Sequence, residues 1–124
     1  MKRLVMDLDD TICRTIDGNY AQSIPVDGIA ARLREYKAQG FDIVINTSRN
    51  MRTYEGNIGK INANTLPNII TWLNAHEIPY DEIFVGKPWC GHEGFYVDDR
   101  AIRPSEFLKY SLEEITDFLK KEKQ

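Results

Sequence analysis

Three carboxylates crowd the end of one short apolar run. Residues 4–12 read LVMDLDDTI, with Asp7, Asp9 and Asp10 side by side or one residue apart. A run of this kind forms a buried strand, and like charges gathered at its end repel one another. A hard divalent cation removes that repulsion, because Mg2+ takes oxygen ligands and commonly uses one or two carboxylates together with substrate phosphate. Three further polar groups follow apolar runs along the chain. Thr47-Ser48-Arg49 follows FDIVIN, Gly86-Lys87-Pro88 follows EIFV, and Asp98-Asp99 follows FYV. Together these residue types can carry out phosphoryl transfer. Acids from two strand ends hold Mg2+, Lys87 adds a second positive charge, and Thr47 hydrogen-bonds a phosphoryl oxygen. One carboxylate then attacks phosphorus to form an aspartyl-phosphate. Asp10 is expected to be a solvated or capping loop acid.

The elements that must position these groups alternate between strand and helix. Lys2 to Asp7 reads as a first strand, and residues 8–25 as a loop or small hairpin punctuated by Gly18, Asn19 and Pro25. Ile29, Leu33 and Tyr36 recur at helical spacing between Val26 and Gln39, and Gly40 can end that helix. Phe41 to Asn46 is a second strand, and the polar residues 48–63 form a long loop of the kind that is usually functional. Asn64 or Thr65 caps a second helix with Leu66, Ile69, Ile70 and Leu73 on its apolar face. Glu82 to Val85 is a third strand and Phe95 to Val97 a fourth. Ser111 with Glu114 forms a capping box for a last helix that buries Leu112, Ile115, Phe118 and Leu119.

This alternation predicts a three-layer α/β/α, Rossmann-like parallel sheet. The link between residues 85 and 95 is too short for a helical crossover between parallel neighbours. The expected strand order is therefore 3-2-1-4, with the fourth strand beside the first and ligands at the carboxyl ends.

With 124 residues, the chain suits one domain spanning 1–124. A net charge of −3 gives little electrostatic support for binding nucleic acid. No apolar run approaches the roughly 20 residues of a membrane span, and Asp7 cuts the first run too short for a signal peptide. A cytoplasmic protein with no membrane partner is expected. Cys13 and Cys90 make no CxxC pair, and Cys90-Gly91-His92 lacks the second ligand pair that structural zinc needs.

The set DxDxT, then Thr47 after an apolar strand, then Lys87, then YVDD resembles the haloacid dehalogenase superfamily. NMRTYEGNIGKIN, TLP and VGKPWCGHEGFYVDDRAIRPSEF look like the small phosphatases encoded with capsule or lipopolysaccharide biosynthesis genes. The resemblance implies a haloacid dehalogenase-like core with Asp7 as nucleophile and Asp9 as general acid, then base. It implies Mg2+ held by Asp7, the Asp9 backbone carbonyl and Asp98, with Asp99 supporting the metal or orienting Lys87. Thr47 and Lys87 would hold the phosphoryl group. The short segments after the first and second motifs leave no room for a cap domain, so an open site is expected. Such a site suits a bulky substrate or completion by a neighbouring subunit in a homo-oligomer.

Within the polar loop, Arg49, Asn50, Tyr54 and Lys60 are candidate substrate contacts, and His92 is another. The expected reaction is hydrolysis of a phosphomonoester, either a sugar phosphate or a glycan-linked precursor. A receiver-like signalling domain is the competing reading from another class. Its phosphorylated Asp lies on the third strand and its Lys closes the set, whereas here paired acids recur after Lys87. A phosphosugar mutase would need a cap to keep water from its intermediate.

Overall fold

The computed structural model describes residues 1–123. Two compact units divide the chain, Met1–Trp89 and the residues from Cys90 onward.

The first unit is a mixed α/β structure. Strand β1 (Arg3–Met6) leads into a two-stranded antiparallel ribbon, β2 (Cys13–Arg14) with β3 (Ile24–Pro25). Helix α1 (Ile29–Ala38) follows and buries Ile29, Leu33 and Tyr36, the face its spacing predicts. Then come β4 (Asp42–Thr47), α2 (Ile58–Asn64), α3 (Leu66–Ala75) and β5 (Glu82–Val85). The three longer strands form one parallel sheet in the order β1-β4-β5, with Leu4 opposite Ile43 and Ile45 opposite Ile83. Central β4 is the buried strand. Ile43, Val44 and Ile45 are fully or almost fully covered, whereas Val5 on β1 and Phe84 on β5 are exposed, as side chains of edge strands can be.

This order matches the 3-2-1 part of the expected sheet. The fourth strand is a correction. Phe95–Val97 adopts no strand and pairs with none among the described residues. Apolar composition gives a segment the capacity to pair, but a strand exists only with a ladder partner. The long polar loop is a second correction, because residues 48–63 include most of α2. Asn57 starts that helix by accepting a hydrogen bond from the Lys60 backbone N–H at 3.1 Å. Only Ile61 is buried on α2, so its polar exterior concealed it in the sequence. The side chain of Thr65, expected as a helix cap, instead donates to Asn50 Oδ1 at 2.7 Å.

The second unit carries α4 (Pro104–Lys109) and α5 (Leu112–Glu122). Helix α4 was not visible in the sequence pattern. Pro104 opens it, and the Glu106 carboxylate accepts from the Arg103 N–H at 2.7 Å. The capping box of α5 forms as expected, Glu114 N–H to Ser111 Oγ at 3.2 Å and Ser111 N–H to Glu114 Oε1 at 3.0 Å. Of its predicted apolar face only Ile115 is buried, and Leu112, Phe118 and Leu119 are partly covered. Among the described residues no helix is long and apolar enough to cross a membrane.

Candidate active site at the strand ends

The acid cluster owes its shape to what lies between the acids. Leu8 and Ile12 are fully buried and pin the loop that follows β1. The Leu8 carbonyl accepts from the N–H groups of both Ile12 and Cys13, at 2.9 and 3.2 Å, which curls the chain into a tight turn. Asp10 sits in that turn at φ +63°, a left-handed conformation that Asp tolerates better than most residues. Burying Leu8 leaves Asp7 and Asp9 on either side of it, with separate surroundings.

Asp7 faces Lys87. The Lys87 ammonium lies 3.5 Å from Asp7 Oδ1, and the Thr11 hydroxyl donates to Asp7 Oδ2 at 3.3 Å. Burial pushes the Asp7 carboxyl above the ordinary carboxylate value, and the Lys87 charge opposes that rise without cancelling it. Lys87 is placed by β4 and β5 together. Its backbone N–H donates to the Thr47 carbonyl at 3.1 Å, tying the second and third motifs to each other. Gly86 makes the bend between β5 and Lys87 at φ +85°, and a Cβ there would come within 2.5 Å of Ile58 Cδ1. Glycine satisfies both constraints.

Asp9 faces Arg49. Arg49 Nε donates to Asp9 Oδ2 at 3.1 Å and Nη2 donates to Oδ1 at 2.7 Å, a two-pronged ion pair. The Arg49 side chain is 4% exposed and that of Asp9 31%. The guanidinium also lies 4.1 Å from the centre of the Tyr20 ring. Thr47, fully buried, accepts the Arg49 backbone N–H on its hydroxyl at 3.1 Å. Cys13 completes the cluster, its sulfur 3.6 Å from Asp9 Oδ1 and 3.7 Å from Arg49 Nη2. Burial, with Asp9 adding to it, pushes the Cys13 thiol up to about 11, so it is a protonated thiol at neutral pH and no nucleophile.

A cleft of about 460 Å³ opens beside this pair, with Asp9, Tyr20, Arg49, Asn50, Arg52 and Trp89 in its wall. The Arg52 guanidinium lies 5.8 Å from the Trp89 ring centre. The predicted substrate residues separate here. Arg49 and Asn50 line the cleft, whereas Tyr54 and Lys60 do not. Asn50 holds its own loop. At φ +63°, it donates to Thr53 Oγ1 at 3.2 Å and accepts from Thr65. Lys60 is exposed on α2. His92, Asp98 and Asp99 belong to the second unit, where Asp98 Oδ1 accepts the Arg100 N–H at 2.8 Å.

Tyr20 carried no signal in the residue pattern. The Arg49–Asp9 pair was also missed, since nothing in the spacing of positions 9 and 49 announces it. Among the described residues, no three His, Cys, Asp or Glu side chains gather as a metal-holding group. The donors at the end of β1 nonetheless suit an oxygen-seeking cation. A half-buried Asp7 carboxylate whose charge is penalised by burial would be relieved by one.

The fold and site together define a mixed α/β protein with an acid–lysine centre at the carboxyl ends of a parallel sheet. The chain is similar to a Vibrio cholerae target protein known from its crystal structure, at 57% sequence identity and a TM-score of 0.96. The match covers 98% of this chain and 99% of that one. The chain belongs to the same family as that protein. No family model and no curated protein matches it.

Proposed function

We propose that this protein is a Mg2+-dependent phosphomonoesterase with a haloacid dehalogenase-like core, acting through an aspartyl-phosphate on Asp7. The observation that carries this reading is the meeting of Asp7, Thr47 and Lys87 at three neighbouring strand ends, with the Lys87 ammonium 3.5 Å from Asp7. Asp7 Oδ attacks phosphorus, and the bond from phosphorus to the ester oxygen breaks. Asp9 gives its proton to the departing oxygen. Water then attacks phosphorus and loses its proton to Asp9, the bond to Asp7 Oδ breaks, and inorganic phosphate leaves. Lys87 balances charge on the transferred group. Mg2+ would be held by Asp7 and the Asp9 carbonyl, with Asp98 and Asp99 as the further ligands the resemblance implies, and would supply charge neutralisation at the phosphate.

Both Asp9 oxygens accept hydrogen bonds from Arg49, so Asp9 acts as the acid only after Arg49 releases one oxygen and that oxygen takes up a proton from solvent. The cleft wall favours a phosphorylated sugar or glycan precursor. Arg49 and Arg52 offer donors to phosphate and hydroxyls, and Tyr20 and Trp89 offer ring faces. Capsule or lipopolysaccharide biosynthesis is the place that the resemblance implies for such a substrate.

The test is a hydrolysis screen of phosphorylated sugars and glycan precursors with Mg2+, repeated with chelator. Release of phosphate that stops with chelator, returns with Mg2+ and vanishes in Asp7→Asn is the expected result. Full activity of Asp7→Asn overturns it.

A further inference from the structure

We propose that the cleft beside Asp9 receives a second anionic group, a carboxylate or a phosphate on the part of the substrate that departs, and that Arg49 is the residue that takes it. The cleft and the acid–lysine centre share one residue. Asp9 stands in the cleft wall, whereas Asp7, Thr47 and Lys87 do not. A phosphoryl group between Asp7 and Lys87 therefore leaves the cleft to whatever lies beyond Asp9, which is the departing side. At about 460 Å³ the cleft takes a small organic molecule rather than a lone ion. Placing the anion on the departing side rests on the phosphatase reading, whereas the anion site itself does not.

Arg49 holds one donor in reserve. Its Nε and Nη2 bond the two Asp9 oxygens, and Nη2 also lies 3.7 Å from the Cys13 sulfur. Nη1 donates to no protein group among the described residues, and it is not sealed from solvent. The side chain is only 4% exposed and lies 4.1 Å from the Tyr20 ring centre, so packing and the ring face fix where that donor sits. A buried arginine with a spare donor on a cleft wall suits an acceptor that brings its own charge. The Ser48 and Thr53 hydroxyls stand in the same wall and donate to nothing among the described residues. Asp9 and Asp10 balance Arg49 and Arg52 there, so the cleft selects an anion by aimed donors and not by net charge. Sharing Arg49 with an anion also loosens the fork on Asp9, which frees an oxygen to face the departing group.

The test compares three substrates, each with Mg2+, that differ at one carbon. Glucitol 6-phosphate is neutral away from its phosphate, gluconate 6-phosphate carries a carboxylate at the first carbon, and glucitol 1,6-bisphosphate carries a second phosphate there. Their open chains let that end of the molecule find the cleft. A hydrogen bond to a charged partner discriminates by about tenfold or more, so kcat/KM for at least one anionic substrate should exceed that for glucitol 6-phosphate by this factor. The better of the two identifies the anion. In Arg49→Met the ratio should fall to about one, and a ratio cancels the loss that every substrate suffers when Asp9 loses its fork. Where Arg49→Met does not fold, Arg49→Lys should lower the ratio by about threefold or more, because one ammonium cannot serve Asp9 and the anion together.

Equal kcat/KM for all three substrates in the wild type overturns the anion site and leaves the phosphatase reading standing. A preference that survives unchanged in a folded Arg49 variant overturns the assignment to Arg49. Where none of the three is hydrolysed, calorimetric titration of each into the wild type decides the site alone. Binding about tenfold tighter for an anionic compound than for glucitol 6-phosphate, lost in the Arg49 variant, upholds it, and equal binding overturns it. A protein that hydrolyses no phosphomonoester in the broader screen refutes the phosphatase reading without touching that result.

Discussion

Arg49 and Asp9 form the strongest polar link between the loop after β1 and the loop after β4, and a double-mutant cycle measures it. Arg49→Met keeps most of the side-chain volume and removes the fork of donors. Breaking a fully buried ion pair costs about 3–5 kcal/mol. Water reaches 31% of the Asp9 side chain, so the abandoned carboxylate is partly hydrated and the loss should be nearer 2 kcal/mol. Losing the cation 4.1 Å from the Tyr20 ring adds about 1 kcal/mol. Arg49→Met is therefore expected to destabilise by about 3 kcal/mol. Asp9→Asn should cost about 1–2 kcal/mol, because one amide oxygen still accepts a hydrogen bond from Arg49.

The double variant should recover about 1–2 kcal/mol relative to the sum of the singles. Urea unfolding, with the slope of free energy against denaturant unchanged across the four proteins, is the assay. Arg49→Lys should restore less than half, since an ammonium lacks the planar fork. Additivity within about 0.5 kcal/mol would show that the pair is not coupled and that Arg49 is held by packing alone.

In metal-free buffer near neutral pH, Asp7→Asn should raise Tm slightly, because burial penalises the Asp7 charge more than Lys87 rewards it. The gain is small, since 37% of the side chain meets solvent. It should fade as pH falls through the raised folded pKa toward the unfolded 3.8, where Asp7 itself becomes neutral. Asp81 behaves in the opposite sense. Its oxygens accept from Lys37 Nζ at 2.6 Å and from the Ile43 N–H at 2.8 Å, and this holds its carboxyl below the ordinary value. The stability difference between wild type and Asp81→Asn should be constant above the ordinary carboxylate range and shrink as pH falls through the lowered folded value, read by thermal melts across acid pH. Gly86→Ala should destabilise by about 1–2 kcal/mol from its positive φ and the contact with Ile58, and Ile58→Val should relieve only the contact share.

The parts of the fold legible in the sequence were those where one periodic apolar signal had one outcome. The face of α1, the strand from Glu82 to Val85 and the capping box at Ser111 belong here, because local chemistry decides them. Polar α2 was hidden because a helix with one buried residue leaves little periodicity to detect. Residues 95–97 carried a strand signal without a strand, since pairing is decided by a partner that no local window contains. Of the site, the groups on β1, β4 and β5 were legible because strand ends are easy to place. The link from Arg49 to Asp9 was not, because it depends on how two loops fold back.

The separation between Asp7 and Asp9 gives the acid cluster its meaning. Both acids leave the end of the same strand, and one buried leucine divides them. Asp7 is turned to a lysine and a threonine hydroxyl, in surroundings that penalise its charge. Asp9 is turned to an arginine fork and a protonated thiol. Two equivalent carboxylates could only share a task, whereas two with different partners can divide one. A cation at Asp7 would relieve a charge that burial penalises, while Asp9 already has its counter-charge. That asymmetry follows from which residues alternate across Leu8. Exchanging Arg49 and Lys87 would therefore not preserve the site, because the fork would then face the acid expected to meet phosphorus.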